Sequence, residues 1–328
     1  MNCRLYTILL TLTLTSLVMT VCAQSPGSAV PPTHSKTSFA FVTNNPSDYW
    51  IICRKGTEAA ARKLGNVSVQ FVMPGDGTAA TQKRDIDDLL AAGVQGIAVS
   101  PVDPANETPY LNTVAAKTNL ITSDSDAAQS DRLCYIGTDN RAAGVMAGRL
   151  IRQALPRGGP IMLFVGRSDA QNARERISGI RDALRGSRLR ILGVRTDDAD
   201  RARAKTNAAD ALARYPRLAG MVGIWSYNGP AIISAVKEAH KAGRVKIVAF
   251  DEETDTLAGV KDGTVSGAVV LQPYLFGYDS VRLLARLARG DRGGIPAGRR
   301  IIVPTLAIKR ANVRAYEAQQ ARRLRGPG

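Results

Sequence analysis

Short apolar runs alternate with helix-like stretches along almost the whole chain, and this alternation limits the fold more than any other feature. Runs at 39–43, 67–72, 96–100, 119–123 and 133–136 are too short for helices and are apolar on both faces. A strand of that kind must be covered on both sides, and a right-handed β-α-β crossover does so by laying helices over a parallel sheet. Between the runs, 78–92 has a polar first turn and Gly93 where a helix should stop. Pro101 and Pro104 are expected to keep the segment after the third run out of a helix. A second series follows at 160–165, 189–194, 219–224, 245–250 and 265–270, alternating with helices such as 172–184, 229–241 and 256–261.

Two such series predict an α/β protein of two Rossmann-like lobes, each with its own parallel sheet and a ligand cleft between them. A helix capped by Asp139 or Asn140 and closed before Pro156 places the first passage between lobes at 135–138. A helix at 275–287, a loop at 290–298 and a strand-like 301–308 leave enough chain to return to the first lobe and cross again. The expected organisation is 1–23 as a signal, 24–38 as a tether, 39–137 plus 273–298 as the N-terminal lobe, and 138–272 plus 299–318 as the C-terminal lobe.

The first 23 residues carry Arg4, an apolar and threonine-rich stretch, and Val21-Cys22-Ala23 before Gln24, the pattern of a secretory signal. The expectation is export to the periplasm or another extracytoplasmic space. Cys22 offers a lipid-anchored alternative, disfavoured by Val21 before it. Residues 24–38 are rich in Ser, Pro, Gly and Thr and read as a tether. After cleavage only Cys53 and Cys134 remain, too few for a disulfide framework. The net charge of +16 comes from scattered arginines, so no nucleic-acid surface is expected, and Arg322, Arg323 and Arg325 read as a frayed tail.

In a parallel sheet, ligands bind beyond the carboxyl ends of the strands. Those positions hold Asn44, Asn45 and Trp50, then Ser100 and Asp103, then Asp124 and Asp126. In the second series they hold Asp169 and Arg174, then Trp225, Tyr227 and Asn228, then Asp251 and Glu252. Asn, Asp and Arg offer paired hydrogen-bonding groups to vicinal hydroxyls, and an aromatic face covers the C–H patch of a sugar ring. Such a rim suits a neutral polyol. Each residue also has a plainer role open to it: Asp124 in a turn, Asn44 and Asn45 beside Pro46, Trp225 in the core, and Arg174 in a surface pair with Glu175.

The strings NNPSDYW, GIAVSP, DSDA, YIGTDNRAAG, NARERISGI, SYNGPA, AFDE and QPYLFGY, in that order, resemble the periplasmic sugar-binding proteins of the ribose and galactose type, which share their fold with LacI-type repressors. The resemblance implies three crossover strands at the hinge, closure on one sugar as a monomer, delivery to an ABC permease in the membrane, and no cofactor. Carried over, it gives ligand roles to Asn45, to Tyr49 or Trp50, and to Ser100, Asp124, Arg174, Asn228 and Asp251, beside Trp225 from the rim. The chain departs from the pattern at Ser125, where the ribose type has arginine. It departs again at Gln272, one position later than the family's hinge glutamine, and a one-residue shift turns a strand side chain to the other face.

Three other functions compete. A glycosidase could pair Asp124 with Asp251, but His34 and His240 are the only histidines and neither joins the rim. A repressor core would need a helix-turn-helix where the export signal is read. A binding protein that presents its sugar to a membrane sensor instead of a permease would look the same.

Overall fold

The computed structural model describes residues 36–47 and 49–325. The expected signal, Cys22, His34 and the tether up to residue 35 lie outside the described residues. In the first half, β1 (Thr37–Val42), α1 (Tyr49–Leu64), β2 (Val67–Val72), α2 (Ala79–Ala91), β3 (Gly96–Val99), α3 (Pro104–Ala115), β4 (Asn119–Ser123) and β5 (Cys134–Gly137) follow in order. The chain then runs through α4 (Asn140–Ala154), β6 (Gly159–Val165), α5 (Gln171–Leu184), β7 (Leu189–Thr196), α6 (Arg201–Arg214), β8 (Gly220–Gly223), α7 (Asn228–Glu238), β9 (Lys246–Phe250), α8 (Thr254–Asp262) and β10 (Val265–Val270). It ends with α9 (Pro273–Leu287), β11 (Arg300–Ile302), β12 (Leu306–Ile308) and α10 (Val313–Arg325).

The strands form two six-stranded sheets, ordered β11-β5-β4-β3-β1-β2 and β12-β10-β9-β8-β6-β7. All pairings are parallel except β10 with β12. The two orders superpose strand for strand, β1 with β6 through β5 with β10, so the lobes are topological copies. Burial on both faces is visible within β1: Phe39 and Phe41 enter one apolar cluster, while Ala40 and Val42 enter another on the opposite side.

The expected helix–strand alternation is met, with four corrections. The segment after β3 is a helix: Pro104 sits in its first turn, where a missing N–H costs nothing, and Asp103 caps it by accepting from Asn106 N. Residues 301–308 are two strands in different sheets, because β11 pairs with β5 and β12 with β10. The last crossing is therefore 303–305, and residues 300–302 join the first sheet, not the second lobe expected to start at 299. Thr37 and Ser38 belong to β1, not to the tether. The arginine-rich end is the helix α10, tied back by Arg323, whose Nη1 donates to Gln272 Oε1 at 3.1 Å.

Three segments cross between the sheets: 138–139 from β5 to α4, 271–272 from β10 to α9, and 303–305. Gln272 ties two of them, its Nε2 donating to Pro304 O at 2.7 Å. The crossovers swap helices, so that α4 packs on α5 of the second lobe and α9 on α1 of the first. Both helix pairs touch backbone to backbone through glycine. A Cβ on Gly56 or Gly277 would overlap Tyr274 O or Cys53 O, and one on Gly144 or Gly179 would overlap Arg176 O or Arg141 O. Cys53 and Cys134 are buried and free.

Asp126 serves this framework, not the rim. It accepts from Thr122 Oγ1 at 2.7 Å and from both Nε (2.5 Å) and Nη2 (2.8 Å) of buried Arg132, whose Nη1 donates to Arg299 O. The bidentate pair holds the chain entering β11 against β5.

Glu252 is likewise structural: Tyr316 Oη and Gln320 Nε2 of α10 donate to its Oε1 at 3.0 and 2.8 Å. Burial pushes its carboxyl up to about 7, with the Tyr316 hydroxyl and Arg323 pulling back. An unfolded chain ionises this group near the ordinary carboxylate value of about 4.3, so stability drains as pH rises from there to about 7 and is flat above. Relative to the parent chain, Glu252→Gln should therefore gain roughly 3 kcal/mol between pH 4.5 and 8. Urea unfolding of both proteins at the two pH values measures this, and a difference that does not change with pH would contradict it.

Candidate functional site

Two carboxylates head the site, each the first residue beyond an equivalent strand. Asp124 follows β4 and Asp251 follows β9. Both take the left-handed backbone region, with φ of 62° and 65°. Their amides donate to the neighbouring strand, Asp124 N to Ile136 O and Asp251 N to Val269 O. A non-glycine residue held there is strained, and the strand bond fixes where the side chain leaves the sheet. Between them lies a cavity of about 190 Å³, lined from the first lobe by Asn44, Asn45, Tyr49, Trp50 and Asp124 and from the second by Asn172, Arg176, Trp225, Tyr227 and Asp251.

The aromatic side comes from the start of α1. Asn45 Oδ1 accepts from Ser47 N, Thr43 Oγ1 donates to Asn45 O, and Trp50 N donates to Ser47 O, so the β1 exit closes into a tight turn before the helix. Tyr49 and Trp50 then stand edge to face at 5.0 Å, and Tyr49 Oη donates to Asp124 Oδ1 at 3.3 Å. Trp50 is buried with its Nε1 unpartnered.

Across the cleft, α5 supplies Asn172 and Arg176, one turn apart on its buried stripe with Ala173, Ile177 and Ile180. Arg176 is 2% exposed. Its Nε donates to Asn140 Oδ1 and its Nη1 to Ile224 O, both at 2.9 Å, and the guanidinium lies 4.9 Å over the Phe250 ring. Asn172 Oδ1 accepts from Trp225 Nε1 at 3.2 Å, and Trp225 meets Tyr227 edge-on at 6.4 Å.

Burial raises the Asp124 carboxyl, with Arg176, Tyr49, Ser100 and Asn172 pulling it back. Burial raises Asp251 well above the ordinary range; Arg176 opposes this, while Glu252 and Asp124 add to it. The site thus offers two carboxylate acceptors, one guanidinium, amide groups and aromatic walls. Among the described residues no group of His, Cys, Asp or Glu is placed to hold a metal ion.

Of the residues expected at the rim, Asn45, Tyr49, Trp50, Asp124, Trp225 and Asp251 line this cavity. Four do not. Ser100 is fully buried behind Asp124, its Oγ accepting from Ser125 N at 3.4 Å. Asn228 is buried at the start of α7, bonded to Trp225 N and, at 2.9 Å, to Asp197 Oδ2. Gln272, at φ 63°, turns to the crossing 303–305 and not to the cleft.

Arg174 is exposed and folds back on Asp169 O, two residues and thus more than half a helical turn away from the inward face. Asp169 pairs with Arg167 outside the cavity. Arg176, Asn172 and Arg201 were not anticipated. The spacing of Ala173, Ile177 and Ile180 is the signal that would have selected Arg176 over Arg174.

Matched lobes that each end a strand in an acid facing one cleft have the architecture of a two-lobed ligand-binding protein. The chain belongs to the periplasmic binding protein domain family, whose model matches residues 39–292. It is similar to the ribose import binding protein RbsB of Bacillus subtilis, 26% identical over 275 residues, covering 81% of this chain and 88% of that one. Among solved structures it is similar to an ABC transporter solute-binding protein from Burkholderia graminis in complex with D-arabinose, 30% identical with a TM-score of 0.81, covering 86% of this chain and 98% of that one. GanP, a glucose-galactose binding protein from Geobacillus stearothermophilus, is 27% identical with a TM-score of 0.78, covering 84% and 98%.

Proposed function

We propose that this protein is exported by residues 1–23, closes on one monosaccharide or related polyol, and delivers it to an ABC permease. The observation that carries the reading is the cavity itself, which takes hydrogen-bonding groups and aromatic faces from both lobes. A ligand that touches both lobes at once favours the closed arrangement over the open one by that difference in contacts. The single-ring size of the cavity and the names of the relatives, which are ribose, arabinose and glucose-galactose binders, support the same class of ligand.

A thermal-shift screen of the purified chain against pentoses, hexoses and polyols tests this. A true ligand at about a hundred times its Kd should add roughly 2.7 kcal/mol of stability and raise Tm by several degrees. If no sugar or polyol shifts the transition, the proposal fails.

A further inference from the structure

We infer that the preferred ligand is an amino-substituted sugar or polyol, with its ammonium held by Asp251 between the aromatic walls of the cleft. The inference rests on the cleft being a sugar site and names the chemical class of that sugar. It follows from the charges around the cavity. Two buried carboxylates, Asp124 and Asp251, face a single buried guanidinium, that of Arg176. Arg176 donates to Asn140 and the Ile224 carbonyl and forms no ion pair with either acid among the described residues.

The other charged groups nearby have partners of their own, including Arg201, which also lines the cavity but is half exposed. Arg201 makes two 3.2 Å contacts with Glu253 and lies 5.6 Å over Tyr227, and Glu252 turns to α10. Asp197 is held by Tyr227 and Asn228 behind the cavity wall.

Within this set Asp251 stands apart. It is 4% exposed, it lines the cavity, and its Oδ1 is buried with no hydrogen-bond partner. A buried carboxylate left unpaired is costly, and a ligand cation relieves it more fully than a hydroxyl can, through charge as well as N–H donors. Tyr49, Trp225 and Tyr227 line the same space, and aromatic faces attract a cation where a carboxylate neutralises it. A neutral hydroxyl would give Oδ1 one hydrogen bond, whereas an ammonium also brings the positive charge that favours the ionised form of a buried carboxyl.

Calorimetry of the purified full chain near pH 7 against matched pairs tests the inference: D-glucose with D-glucosamine, D-galactose with D-galactosamine, and inositol with an amino-deoxyinositol. N-acetylglucosamine serves as the uncharged amide control. The amine of at least one pair should bind about tenfold more tightly than its hydroxyl partner. Asp251→Asn should erase that preference, bringing the affinities for the two members of the pair together. In the unaltered protein the preference should also vanish at about pH 9.5, where a sugar amine carries no charge, so the test does not depend on the variant folding. Neutral sugars that bind as tightly as their amines in every pair would overturn the inference and leave the sugar site standing. A panel in which nothing binds would overturn both.

Discussion

Arg176→Ala should bind the protein's best ligand roughly thirty to several thousand times more weakly, a loss of about 2 to 5 kcal/mol. Two of the guanidinium's faces are locked by Asn140 and the Ile224 carbonyl, which leaves its remaining N–H groups at the cavity in a fixed direction. Truncation removes those donors and also strips Asp124 and Asp251 of the one positive charge that holds their carboxyls down. Lysine should not rescue the site, because one ammonium cannot hold both internal acceptors and still reach a ligand in the same plane. Arg174→Ala is the control: this side chain is exposed and outside the cavity, so calorimetry should find its affinity unchanged. Equal losses in the two variants would mean that the cleft has been drawn in the wrong place.

The second large effect belongs to a residue that touches no ligand. Gly144 of α4 faces the backbone of α5 so closely that a methyl group would overlap the carbonyl of Arg176. Gly144→Ala must push the helices apart, which costs roughly 1 to 3 kcal/mol and several degrees of Tm in a chain of this size. Displacing α5 carries Asn172 and Arg176 away from the cleft, so affinity should fall together with stability. A thermal melt and a titration on the same preparation check both. A variant that lost stability but kept full affinity would show that α5 re-seats without moving its site residues.

Strands were legible because an apolar run declares itself within a few residues, and Asp124 and Asp251 were legible because each is the first residue after such a run. The left-handed turn that aims them was not, since nothing local in FDE or SDS marks it. Position in the motif points to Arg174, while the helix period, read from Ile177 and Ile180, points to Arg176. Pro104 by itself reads as a helix breaker, although its place after Asp103 makes it a helix starter. Gln272 and residues 300–308 depended on how three distant crossings pack together, information that no window of sequence contains.

The triple crossing also sets the order in which the molecule can form. The first sheet lacks its α9 cover and its β11 edge until residues 273–302 are present, and the second lacks β12 until 306–308. Neither half is complete while the final stretch of chain is missing, and the contacts that complete them span long sequence separations, the condition under which folding is slow.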